Sequence, residues 1–574
     1  MEHITPLSDI PSSRFQLPQH PKINPISHTD TLNGYLQTDE TTLQRTCKYY
    51  PKSPRFEGFE DTMLTLPGDY SYHCFNNFRK VLKAQKLLTG IFYIVQSWEE
   101  RRGFYPAIKS FQNISSVMVS CDALSDSRML KFFFISLIFL KKLKSLEFSF
   151  SFSFAFTQEK EKFACWKRFL KKIKAISHLS LSLTFELQSK FCYLDFNSFL
   201  SFLTKFTHLH ALSLKISGAE ELFSCAENLA SILPTLKSLT KLTLDFSSSK
   251  TIQNSSLRRI FVSLHNLKAL SSLELHIWDG FYSPIDSFSG CLDSLNHAQI
   301  QRLSFRFDGA YHNSKLADLS QALKNFTFLK HLQLHFSKCY HLTGEGMLEF
   351  FVVLKSLALL ESLNLYFASQ YQYERIVQYI ASELGPLVKL KYLKLHISFD
   401  VYTFESETQQ FFSNLKDLKS LTFLQLSLDS ANIITDNTLE ALSQSLNELV
   451  MLEILHLHFR KTSRITNQGM EALSCAVQHL EKLSSLILVF DDLYQVNETA
   501  ITKIGGAMQK LEHLSSVTLS IQGLSNVNTL ANFFTVLREI KDQVKMKVYL
   551  PKLAKNFKEV EELSRLKHIN LYFI

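Results

Sequence analysis

Three stretches decide the reading: Thr435–Phe459 (TDNTLEALSQSLNELVMLEILHLHF), Thr466–Phe490 (TNQGMEALSCAVQHLEKLSSLILVF) and Asn497–Ile521 (NETAITKIGGAMQKLEHLSSVTLSI). Each is a near-copy of the others. In the middle one Met470, Leu473, Val477, Leu480 and Leu483 are spaced 3, 4, 3 and 3, and then Leu486, Leu488 and Phe490 alternate. The first spacing is one face of a helix and the second is the two-residue period of a strand. A unit of this size cannot bury its apolar face alone, so the pattern predicts stacking on copies of itself.

Working outward, the second apolar residue of the L-x-x-L-x-L-x-F strand marks the phase. The marker falls at Val117, Leu146, Leu179, Leu212, Leu242, Leu273, Leu303, Leu332, Leu363, Leu393, Leu424, Leu455, Leu486, Val517, Val544 and Ile569, which is about 16 units. Helical spacing persists ahead of the strands, as in Leu257, Ile260, Leu264, Leu267 and Leu270 before Leu273. On these residues the chain resembles the leucine-rich repeat family, and within it the ribonuclease-inhibitor-like subfamily, whose long units carry a full helix. The resemblance covers about residues 104–574. It implies an α/β solenoid, a horseshoe with a parallel sheet on the concave face and helices on the convex face.

One column departs from that family. Where an Asn is expected after the strand, there stand Ser247, Trp278, Asp308, Ser337, Ala368 and Ser398, while the preceding position is apolar in every unit from Phe246 to Ile521. We expect a strand one pleat longer, with a Phe-rich spine in place of an Asn ladder. Residues 277–300 lack the helical spacing and predict a longer loop, and the last units are short, as in a C-terminal cap.

Residues 1–60, rich in Pro, Ser, Thr and Gln, read as an extended or partly disordered arm. Residues 61–103 read as a helical N-terminal cap over the exposed end of the array, and 104–574 as the solenoid. Leu66-Pro67 is followed by Gly-Asp-Tyr-Ser-Tyr, a poor match to an F-box.

Composition sets the class. Of 574 residues 45% are hydrophobic, which excludes wholesale disorder. The net charge is +9; residues 1–200 hold 26 Lys+Arg against 18 Asp+Glu and so carry 8 of it. The segment Glu159–Leu179 supplies many of those lysines. It reads either as a solvated outer helix face or as a surface for an anionic partner, without the interleaved aromatics that base stacking needs. Nine scattered cysteines form no C-x-x-C pair and fit a reducing compartment. No secretion signal or membrane-length apolar run stands in the sequence, so a soluble cytoplasmic protein is expected.

No phosphate-binding, zinc-protease or nucleophile-elbow motif occurs. The chain is therefore expected to be no enzyme, with no catalytic residue, cofactor or metal. What remains is surface. The second outward column reads Ser149, Ser182, Lys215, Asp245, His276, Arg306, His335, Tyr366, His396, Ser427, His458 and Val489, with His456 beside it. This is either a pH-sensitive face for an acidic partner or a row of polar residues tolerated on exposed strands. A second group lies past the strands as an aromatic rim: Trp278, Phe281, Tyr282, Tyr311, Tyr340, Tyr371, Tyr373, Tyr402 and Phe404. Aromatics with a polar tip bury large area at small entropic cost, so the rim is a candidate contact zone; equally, it folds back over the spine.

The expected function is a non-enzymatic scaffold that binds another protein through the concave face and the rim. The alternatives are an enzyme regulator (inhibitor or GTPase activator) and a ubiquitin-ligase substrate receptor. Nucleic-acid binding ranks behind these.

Overall fold

The computed structural model describes residues 200–573 apart from short stretches, chiefly 218–221, 247–253, 280–287, 310–312, 338–343, 369–375, 399–403, 430–432, 522–526 and 551–553. It also describes the backbone of the strands at 63–66, 90–95, 116–121, 145–153 and 178–186. Contacts divide the chain into 1–65 and 66–574, and the repeat array lies in the second unit. The 1–60 arm lies outside the described residues.

Thirteen strands from Leu209–Ser217 to Ile569–Phe573 pair in chain order, and every pairing is parallel. The strands at Gly90–Val95, Ser116–Cys121, Ser145–Ser153 and His178–Glu186 join in the same sense. Helices alternate with the strands from Leu222–Ile232 onward. The result is an α/β repeat array on one open parallel sheet.

Each unit follows from its spacing. In Gly344–Leu354, Met347, Phe350, Phe351 and Leu354 make one buried helix face. The chain then tightens: Leu357 N donates to Leu354 O and Leu360 N to Leu357 O, so an apolar residue turns inward every three residues until the strand begins. Turns of successive units are tied by the backbone, as where both Ser271 N and Ser272 N donate to Thr240 O, and Gln301 N and Arg302 N to Ser271 O.

The spine is present as expected. Phe246, Ile277, Phe307, Phe336, Phe367, Ile397, Leu428, Phe459 and Phe490 are register partners in sequence, and all are buried to within 1%. Phe336 stacks between Phe307 (5.4 Å) and Phe367 (5.2 Å), and Phe351 meets Phe367 edge-on, which places the helices on the spine side of the sheet. The opposite face carries the alternate residues.

Differences from the sequence reading emerge at four places. Gly90–Val95 is a strand, inside the 61–103 segment read as a helical cap, and extends the parallel sheet one strand back. Leu181, not Leu179, pairs with Leu212: the ladder runs Leu179↔Leu209 and then Ser180↔Ala211, a register shift. The column above Lys215 is therefore Thr184, and not Ser182. Likewise Met546, not Val544, partners Val517. The 277–300 stretch, whose spacing predicts a longer loop, also holds a six-residue helix, Phe288–Asp293.

Between residues 435 and 498 three helix starts are fastened by side chains. Thr435, Thr466 and Asn497 cap the helices Asp436–Glu448, Asn467–Val477 and Glu498–Lys510. The residue that opens the preceding helix reaches each of these caps: Glu405, first in Glu405–Asn414, accepts from Thr435 Oγ1 (2.7 Å), and Asn467 accepts from Asn497 N (2.8 Å). Asp436 accepts from Thr466 N (2.8 Å), Thr466 Oγ1 (2.5 Å) and Gly469 N (3.0 Å). Gly469 is glycine for this reason, since a Cβ there would lie 2.5 Å from Asp436 Oδ1.

Candidate protein-binding surface

The strands carry their alternate residues on the face away from the helices, and the register sets them in straight columns. Lys215, Asp245, His276, Arg306, His335, Tyr366, His396, Ser427, His458 and Val489 are successive register partners. The second-column reading thus holds from Lys215 on.

Chemistry along the column changes. At one end His276 sits between carboxylates, Nε2 3.1 Å from Glu274 and Nδ1 3.5 Å from Asp245, with Lys215 3.7 Å from Asp245. Burial alone would lower the imidazolium, but hydrogen bonds to Asp245 and Glu274 overcome it and raise His276 to about 9. Glu274, hydrogen-bonded to His276 and to Thr243, is held below the usual carboxylate range. The pair is ionised at neutral pH.

Further along, rings replace charges. His335 stacks on Tyr366 at 3.9 Å with planes 3° apart, and Tyr366 stacks on His396 at 4.2 Å and 7°. Both faces of the Tyr366 ring are thereby covered, and these three residues are half-buried. In the outward column nearer the strand starts, Tyr392 stacks on Phe423 at 4.1 Å, and Phe423 meets His456 edge-on at 5.4 Å. Burial and the nearby Lys394 push His456 down to about 4, so it is neutral beside its neighbours. The sequence reading named His456 but missed Tyr392 and Phe423. Their signal was present: the residue just before the marker Leu shares the outward parity.

Most of the rim lies outside the described residues: Phe281, Tyr282, Tyr311, Tyr340, Tyr371, Tyr373 and Tyr402. Trp278 is described only as backbone of the strand Ser272–Asp279. Phe404 is 61% exposed and is the N-cap residue of the helix Glu405–Asn414.

Among the described residues no three His, Cys, Asp or Glu side chains form a group that could hold a metal ion, and no helix is long and apolar enough to cross a membrane. No protein-family model matches the chain, and neither does any curated protein.

Proposed function

We propose that the chain is a leucine-rich repeat solenoid of the ribonuclease-inhibitor-like kind, a non-enzymatic cytoplasmic scaffold that binds another protein through the sheet face opposite its helices. The observation that carries this reading is the ring ladder His335–Tyr366–His396 beside Tyr392–Phe423. Stacking holds the rings in one conformation before any partner arrives, so little side-chain entropy remains to be lost on binding. Polar edges on apolar bodies suit a surface that is wet when free and covered when bound. Parallel strands alternating with helices support the family reading.

The test changes Tyr366 and Tyr392 together to Ala and compares partners recovered by affinity purification and cross-linking with those of the unchanged chain. The expected outcome is loss of a stoichiometric protein from the variant, with circular dichroism retained. A variant that keeps every partner overturns the assignment of this face.

A further inference from the structure

The same face has a charge pattern that points to the chemistry of what it binds, an inference that rests on the protein-binding reading above. Six successive strands, Arg302–Gly309 to Ile454–Arg460, present outward columns of which the first three form one strip, the fourth running Asp308, Ser337, Ala368, Ser398, Asp429 and Arg460. No position in that strip is Asp or Glu. Arg302, Arg306 and Lys394 are cations there, joined by His331, His335, His396, His456 and His458. Carboxylates return only around the strip. Glu274 and Asp245 close its first end and are already engaged with His276. Asp308, Asp429 and Asp491 stand one pleat beyond the strip, Asp491 with Arg460 at 3.4 Å. Glu361, in a turn, pairs with Lys391 at 2.9 Å.

Ring geometry separates two anionic classes. Base stacking needs an open ring face, and both faces of Tyr366 are taken by His335 and His396. The ring edges carry imidazole nitrogens and a phenol hydroxyl, groups that, like the Arg306 guanidinium, donate hydrogen bonds to carboxylates. Neighbouring strands lie about 4.8 Å apart, so five gaps span about 24 Å, the length of about seven extended residues at about 3.3 Å each.

We propose that this strip binds an acidic polypeptide segment, about seven residues long and extended, laid across the strands from Arg306 toward His458. Lys394 and Arg306 set its charge preference, and the rings set its path.

The test is fluorescence anisotropy of the full chain with three labelled probes: octaglutamate, octaglutamine and a single-stranded dT dodecamer. Octaglutamate is expected to bind and to weaken between 50 and 300 mM salt, as exposed charge pairs do when screened, while octaglutamine does not bind. The double substitution Arg306→Glu, Lys394→Glu is expected to weaken octaglutamate at least about tenfold. Reversal of an exposed helix charge, Arg258→Glu, should leave it unchanged. Arg306→Gln with Lys394→Gln, checked by circular dichroism, gives a smaller loss in the same direction and guards against misfolding. Octaglutamate binding indifferent to both double variants overturns the proposal. So does a dodecamer that binds as tightly and responds equally, since the strip is then a phosphate surface. If octaglutamate fails while the Tyr366/Tyr392 variant still loses its protein partner, only the acidic class falls; if both fail, so does the reading of the face.

Discussion

Two stretches of one sheet solve the same problem differently. Across 302–396 the outward contacts between neighbouring units include ring on ring, His335 to Tyr366 to His396. Across 405–497 the helix starts are joined by directed hydrogen bonds, Glu405 to Thr435, Asp436 to Thr466 and Asn467 to Asn497. Stacking asks only for flat side chains of similar size, so it tolerates His, Tyr or Phe. The polar ladder asks for an acceptor at the first helical residue and a donor at the next cap. That demand constrains the sequence of each unit, and the near-copies lie where the ladder runs.

The comparison breaks most visibly at the spine. Phe336 stacks on both neighbours, whereas Phe490 meets Phe459 edge-on at 5.6 Å in a region that also has the polar ladder. Phe336→Ala is expected to cost about 3–5 kcal/mol, and Phe490→Ala about 1 kcal/mol less, the ring pair being worth about that. Because a repeat array need not unfold as one unit, amide hydrogen exchange on the adjacent strands is the measurement. Equal costs would mean that the second stacking partner of Phe336 adds nothing to local stability.

The ladder itself is open to a double-mutant cycle. Asp436→Ala removes three hydrogen bonds and is expected to cost about 2 kcal/mol. Gly469→Ala is expected to cost about 1–2 kcal/mol, because its Cβ strikes Asp436 Oδ1, despite the gain of about 1 kcal/mol that Ala brings to a helix. In the Asp436→Ala background the carboxylate part of that penalty is removed while the contacts to the Asp436 Cα (3.0 Å) and Leu439 Cδ1 (3.1 Å) stay, so the penalty should shrink, with a coupling of about 1 kcal/mol in urea titrations. Additive costs would place the crowding elsewhere.

The smallest effect separates two histidines of the strand face. His276 is raised to about 9, so between about 6.5 and 9 the folded chain holds a proton that the unfolded chain has released. Its contribution is complete below about 6.5 and is lost as pH rises through 9. His456 is lowered to about 4, so as pH falls from about 6.5 the unfolded chain takes up a proton that the folded chain refuses, and stability is lost toward pH 4. Each arm is worth about 1 kcal/mol after allowance for partial exposure. His276→Gln should flatten the alkaline arm and His456→Phe the acid arm, read from denaturation midpoints at pH 5, 7 and 9. Exchange of the two effects would overturn the assignment.

Much of this architecture is legible because two periods, 3.6 and 2, keep step through the chain. The two register differences have different causes. Strands such as His178–Glu186 (HLSLSLTFE) and the stretch Val544–Leu550 (VKMKVYL) alternate apolar and polar residues, and alternation looks the same after a slip of two residues. Only an odd slip would turn the apolar set outward. Alternation alone cannot tell Val544 from Met546, whereas Leu179 does pair with the marker Leu146 and the step to Leu212 comes from the break in register after it. On the surface, parity alone placed Tyr366 and His396 in one column. That their rings stack, or that His456 is neutral, depends on side-chain angles and burial that no spacing encodes.

The turn ladder has a consequence for how such a chain is made. Thr240 Oγ1 donates to His210 O and Thr243 Oγ1 to Glu274 Oε2, partners only 30 and 31 residues apart. The backbone pairings keep to the same span, so no strand waits for a distant one. At a synthesis rate of about 5–20 residues per second, each emerging unit meets its predecessor within about 2–6 s, and the array can be laid down in the order in which it is translated.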